Sequence, residues 1–223
     1  MPLAAILDKL EKFHGKQKPA WPTDPYEFIV WWHCGYPASD ERCAKGWVAL
    51  KEIGISPQAL LDATPKRLAA ALKPGGMVPE LRALRLKEIA SRVKNELGGD
   101  LRGALGNSPS GARKILKKFP NIADPGADRI LLFACISPIA AVPSNCPHVL
   151  VRIVAGKERE NYGITYGDAQ RAIADHTPEN YAARERAYLL LKRHGQDICK
   201  RTNPKCPDCP VKSDCAYYAR AFV

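Results

Sequence analysis

The sequence lacks any run of about 18 apolar residues, so no membrane-spanning helix is expected. Its first residues carry no apolar core of the signal-peptide kind, and a secreted chain is not expected either. Nowhere do apolar and polar residues alternate over strand length, which removes the usual signature of half-buried β-structure. Acidic residues are scarce: 23 Asp and Glu stand against 34 Lys and Arg, a formal charge of +11. A surplus of that size points to a polyanionic partner, nucleic acid ahead of an anionic membrane surface. Disorder is excluded, because 46% hydrophobic and 26% charged residues are the proportions of a chain that buries a core. No fixed-period repeat or low-complexity tract is present, and 223 residues suffice for one large domain or two small ones.

Helical signals recur instead. Leu3, Ile6, Leu7, Leu10 and Phe13 share one helical face, and Gly15 closes the segment. Among the places where a capping residue precedes a proline are Asp24-Pro25, Ser56-Pro57, Thr64-Pro65, Asp124-Pro125 and Thr177-Pro178. Such a side-chain oxygen accepts a backbone N–H of the first turn, while the fixed φ of proline suits the first helical position. Gly54, Gly75-Gly76, Gly98-Gly99 and Gly195 supply stops. Together these predict helices over 2–14, 25–34, 40–52, 57–63, 65–72, 79–97, 110–118, 125–135, 145–154 and 178–194, with another near 167–175. The short connections predict a compact all-α body.

Eight cysteines are present. Cys199, Cys206, Cys209 and Cys215 form C-x6-C-x2-C-x5-C in a tail rich in Cys, Pro and Lys and poor in large aliphatic side chains. Such a segment needs a cross-link to fold. Without export a disulfide framework is disfavoured, which leaves a metal. Zinc sites built from four cysteines usually show two short knuckles, whereas here one C-x2-C pair is flanked by single cysteines. A loop that wraps a cubane and offers one thiolate to each iron suits the spacing better, so a [4Fe–4S] cluster is expected ahead of zinc. Cys34, Cys43, Cys135 and Cys146 share no spacing and are expected, for the most part, to be buried structural thiols.

The cysteine spacing, with the preceding His194-Gly195 and the Pro-x-Cys-x-x-Cys-Pro run, closely resembles the iron–sulfur loop of endonuclease III-like DNA glycosylases. The resemblance covers nearly the whole chain. Phe119 to Ala134, FPNIADPGADRILLFA, resembles the helix–hairpin–helix of that superfamily. It implies two helical lobes: 25–135, with the hairpin at about 119–127, and 1–24 joined to 136–223, with the cluster loop at 199–215. It also implies a monomer bound to double-stranded DNA, intact or damaged, in the cytoplasm and, in a bacterium, at the nucleoid. Lys200, Arg201, Lys205 and Lys212 lie in or beside the cluster loop and would touch phosphates. Asn121 and Ala123 take the places of two hairpin glycines whose backbone N–H groups approach a phosphate in the family. Asn tolerates left-handed backbone angles, and Ala does so poorly. Tyr36, in YPASD, replaces a glutamine that probes the gap behind a flipped base; it would either stack in the duplex or pack on the core.

The positions that carry chemistry depart from the family. Bifunctional relatives place a nucleophilic lysine where Pro125 stands, and proline within a chain has no nucleophilic nitrogen. The family's aspartate, just before the next helix, aligns without a gap to Pro143; a shifted alignment puts Cys146 there, which is no carboxylate either. No residue is therefore assigned a catalytic role. Asp124 is expected as a helix cap, Asp128 as a helix-surface residue and His148 as an ordinary surface or packing histidine. Arg102, Arg113, Lys114, Lys117 and Lys118 form an acid-free basic stretch expected to face phosphate. Three readings stay open. The first is a DNA-binding iron–sulfur homologue with lost or altered glycosylase and lyase chemistry. The second is an active glycosylase that uses relocated residues on an unusual damaged base. The third is a metal-stabilised helical interaction module.

Overall fold

The structure, a computed structural model, describes residues 2–222. Among the described residues there is no strand. The α-helices are α1 (Leu3–His14), α2 (Pro25–His33), α3 (Asp40–Lys51), α4 (Pro57–Asp62), α5 (Pro65–Leu72), α6 (Pro79–Glu96), α7 (Leu101–Gly106), α8 (Pro109–Leu116), α9 (Asp124–Phe133), α10 (Pro147–Ala155), α11 (Tyr162–His176), α12 (Tyr181–Asp197) and α13 (Ala216–Phe222). The all-α reading holds. Helices α7 and α13, six and seven residues long, were not expected, because two turns are too short to show a helical period.

Three of the five capping pairs named above act as predicted. Asp24 accepts from the backbone N–H groups of Tyr26 and Glu27, Ser56 from Ala59, and Thr64 from Arg67. The other two are corrected. Helix α9 begins at Asp124 with Ala123 in the cap position, so Asp124 is its first residue and not its cap. Helix α12 starts at Tyr181, capped by Asn180, while the Thr177 hydroxyl donates back to the Ile173 carbonyl at the end of α11. Gly195, expected as a stop, lies inside α12. A Cβ there would come within 2.5 Å of the Cys146 sulfur, so this glycine serves close packing.

The chain divides into two compact units, one of Met1–Pro19 with Ala123–Val223, the other of Ala20–Ile122. The expected boundaries at 25 and 135 thus fall instead at 20 and 122, and α9 joins the unit that holds both termini. The reason is packing: Phe133 of α9 meets Tyr188 of α12 edge to face, ring centroids 5.2 Å apart, and the Arg129 guanidinium lies over the same ring. The core of this unit buries Leu3, Ile6, Leu7 and Leu10 of α1 against Val149, Leu150 and Ile153 of α10, Ile173 of α11 and Leu190 and Leu191 of α12. Phe13, placed on the same apolar face by the sequence, is half exposed.

The Ala20–Ile122 unit has its own core of Leu50, Leu60, Leu68, Leu72, Leu86 and Ile89, all fully buried. Arg82 is buried among them, which an unsatisfied guanidinium would not tolerate. Its N–H groups donate to the carbonyls of Met77 at 3.0 Å, Leu72 at 3.1 Å, Gly76 at 2.6 Å and also Cys34. These bonds hold the turn before α6, where Val78 takes a φ of 49°, a left-handed angle that β-branched residues rarely adopt.

Candidate metal centre and nucleic-acid interface

Cys199, Cys206, Cys209 and Cys215 line a single pocket, which they share with Arg152, His194, Ile198, Pro204, Tyr217 and Tyr218. As free thiols, Cys199, Cys206 and Cys209 are pushed up by burial, Cys209 to about 11; the Arg152 guanidinium acts in the opposite direction on Cys199 and Cys206. Among the described residues no three His, Cys, Asp or Glu groups converge closely enough to hold a single metal ion. A lone zinc ion draws four sulfurs to about 2.3 Å of one centre, whereas a polynuclear cluster takes one thiolate at each corner. Four thiols around one largely apolar pocket fit the donor set of a cluster.

Around this pocket the chain supplies a frame that the cysteine spacing does not reveal. Arg152 of α10 donates to the carbonyls of Lys200 at 2.9 Å and Arg201 at 3.0 Å, pairs with Glu158 at 2.7 Å, and lies over the Tyr217 ring. His148, expected to be ordinary, is 1% exposed, and its Nε2 lies 2.8 Å from the Cys199 carbonyl. The backbone N–H groups of Ile198 and Cys199 both donate to the His194 carbonyl. With their carbonyls drawn inward, Lys200 and Arg201 are exposed, as are Lys205 and Lys212. Arg201 pairs with Glu158 at 3.4 Å, and Lys212 donates to the Pro207 carbonyl at 2.7 Å.

The hairpin survives its missing glycines. Asn121 is exposed with a φ of 55°, so the left-handed position falls on the residue that tolerates it. Ala123 is extended (φ −93°, ψ −176°), so the difficulty foreseen for alanine does not arise. Pro125 lies in the first turn of α9. Asp128, expected on the helix surface, is instead fully buried, and its carboxylate accepts from the Tyr166 hydroxyl at 2.7 Å and the Gln170 amide at 3.0 Å. Pro143 is buried in the extended segment before α10, and Cys146, also buried, stands immediately before that helix. Neither alignment places a carboxylate there.

Cys34 and Cys43 are buried as expected, whereas Cys135 is exposed with a φ of 54°. In the Ala20–Ile122 unit, Tyr36 is half-buried and stacks on Trp32, centroids 4.6 Å apart and planes 23° apart. The sequence did not single out Met77, which is 80% exposed beside the left-handed Val78. No helix among the described residues is long and apolar enough to cross a membrane.

The all-α fold matches solved structures of endonuclease III and of a thymine-DNA glycosylase, and the sequence has relatives of the same names. The chain is 26% identical to the endonuclease III of Thermotoga maritima over 198 residues, covering 89% of this chain and 85% of that protein. It is 28% identical to the thymine-DNA glycosylase of Aeropyrum pernix over 166 residues, 73% of this chain and 69% of the other. Among solved structures, a non-covalent endonuclease III–DNA complex superposes with a TM-score of 0.77 at 16% identity, covering 98% of this chain and 95% of that one. A thermostable thymine-DNA glycosylase superposes with a TM-score of 0.76 at 19% identity, covering 97% and 96%. No protein-family model matches the chain. The chain is thus similar in sequence to endonuclease III and to thymine-DNA glycosylases, and in fold to solved members of both.

Proposed function

We propose that this protein binds double-stranded DNA, carries a [4Fe–4S] cluster, and has lost the ordinary glycosylase and lyase chemistry of its relatives. The observation that carries the reading lies at the start of α9. Pro125 stands where the resemblance puts the amine, and Asp128, one turn on, is fully buried under Tyr166 and Gln170. A carboxylate sealed from solvent touches neither a sugar nor a water nucleophile. Cys199, Cys206, Cys209 and Cys215 would hold the cluster, whose bonds to them tie the loop together.

Support for DNA as the partner is electrostatic and geometric. The net charge is +11, Lys200, Arg201, Lys205 and Lys212 are exposed on a framed loop, and Asn121 gives the hairpin its turn. Met77 offers an exposed apolar tip and Tyr36 a stacked aromatic ring, the side-chain types that enter base steps. The protein would act as a monomer in the cytoplasm, at the nucleoid in a bacterium. The test is purified protein assayed for iron and titrated with intact and abasic-site duplexes at several salt concentrations. Iron near four per chain and a steep fall of affinity with salt are expected; a colourless protein whose binding ignores salt overturns the reading.

One observation favours a second reading. Asp124 is half-buried, not sealed, beside Pro125. Base release from thymine-glycol, uracil or mismatched thymine duplexes that disappears in Asp124→Asn would establish an active glycosylase with a relocated carboxylate.

A further inference from the structure

The cysteine pocket has a neighbour that lies outside the cysteine motif and nearly two hundred residues upstream in sequence. Nε2 of His14, the last residue of α1, lies 3.1 Å from Nδ1 of His194. On the other side of that ring, Nε2 of His194 lies 3.5 Å from the Cys209 sulfur. The two imidazoles meet edge to face with centroids 5.3 Å apart, and His194 is 1% exposed. A second tether fixes α1 to the same loop: Lys9 pairs at 2.6 Å with Asp214, the residue before Cys215.

The donor and acceptor roles follow from the sulfur. A cysteine bound to iron has lost its proton and only accepts, so Nε2 of His194 carries the hydrogen. A neutral imidazole has one N–H, which leaves Nδ1 of His194 as an acceptor. His14 Nε2 is then the donor. The hydrogen bonds run in one direction, from α1 through His194 to Cys209.

We infer that His14 and His194 form a hydrogen-bond relay that stabilises negative charge on the Cys209 sulfur and raises the reduction potential of the cluster. This rests on the cluster reading above. An added electron makes the cluster and its sulfurs more negative, so a donor aimed at one sulfur stabilises the reduced state more than the oxidised one. His194 is a positioning residue for a cluster ligand, and His14 selects its tautomer. The N-terminal helix is thereby a working part of the cluster site as well as of the core.

The test is a redox titration of the full-length, iron-loaded protein against His194→Phe, His14→Phe and His14→Gln, with iron counted in each. His194→Phe should lower the potential most. His14→Phe, far from the loop in sequence, should lower it less, because His194 is then free to place its hydrogen on either nitrogen. His14→Gln, which keeps an N–H donor, should recover part of the shift. If His194→Phe fails to load, the two His14 variants decide. Variants that load normally at the wild-type potential overturn the relay alone. A wild-type protein without iron overturns the cluster reading and the relay together.

Discussion

At the scale of single residues, the hairpin shows what sequence conveys and what it withholds. Asn121 and Ala123 both stand in glycine places, yet only Asn121 needs a left-handed angle. Residue type was legible; the φ required at each position was not, because neighbouring turns share the bend unequally. Asp128 makes the same point about burial. It sits three residues beyond the half-buried Pro125, but its side chain turns onto α11 and is held by Tyr166 and Gln170. Asp128→Ala should destabilise the fold by about 2–4 kcal/mol, since the buried Tyr166 hydroxyl and the half-buried Gln170 amide lose their acceptor, and should leave the salt dependence of DNA binding unchanged. Denaturant midpoints and binding titrations measure the two effects separately.

His33 provides a pH signature in the other unit. It is fully buried, its Nδ1 lies 2.8 Å from the Ile29 carbonyl, and burial pushes its pKa down to about 4, with Arg85 adding to the effect. The folded pKa lies below the unfolded value of about 6.5, so the folded state favours the neutral ring. That contribution is complete above about pH 6.5 and is lost as pH falls toward 4, amounting to about 3 kcal/mol. The wild type should therefore lose more stability than His33→Gln over this window, read as the difference in melting temperature against pH.

At the scale of elements, periodic and capped helices were readable while short and tertiary-determined ones were not. Proline after Asp24, Ser56 or Thr64 marked a helix start because cap and proline act within one turn. Asn180 and Asn161 carried the same local signal for α12 and α11, but Thr177-Pro178 and the polar segment before 167 obscured it. The cysteine loop was legible as a motif. Its frame of Arg152, His148 and His14 was not, since those residues come from α10 and α1 and meet the loop only after folding. Cys206→Ser should release the cluster and loosen residues near 197–217 while the other helices persist, seen as lost visible absorbance with nearly unchanged far-ultraviolet dichroism. Leu10→Ala, which empties a fully buried site where α1 meets the core, should cost about 2–5 kcal/mol.

At the scale of the whole molecule, charge and chemistry diverge. The +11 surplus and the exposed Lys200, Arg201 and Lys205 suit a phosphate backbone. Replacing those three with Ala should flatten the plot of log K against log salt by about 0.9 for each phosphate that is no longer neutralised. Arg201 should contribute least, because Glu158 already pairs with it. An unchanged slope would mean that the loop does not meet DNA.

In the proposed reading the chemistry turns on Pro125, which stands in the first turn of α9 where the resemblance puts the amine that attacks the sugar. Borohydride trapping on abasic-site DNA, run side by side for the wild type and Pro125→Lys, measures this directly. The account predicts no covalent complex with the wild type and a trapped complex with Pro125→Lys; a wild-type protein that is itself trapped would contradict it.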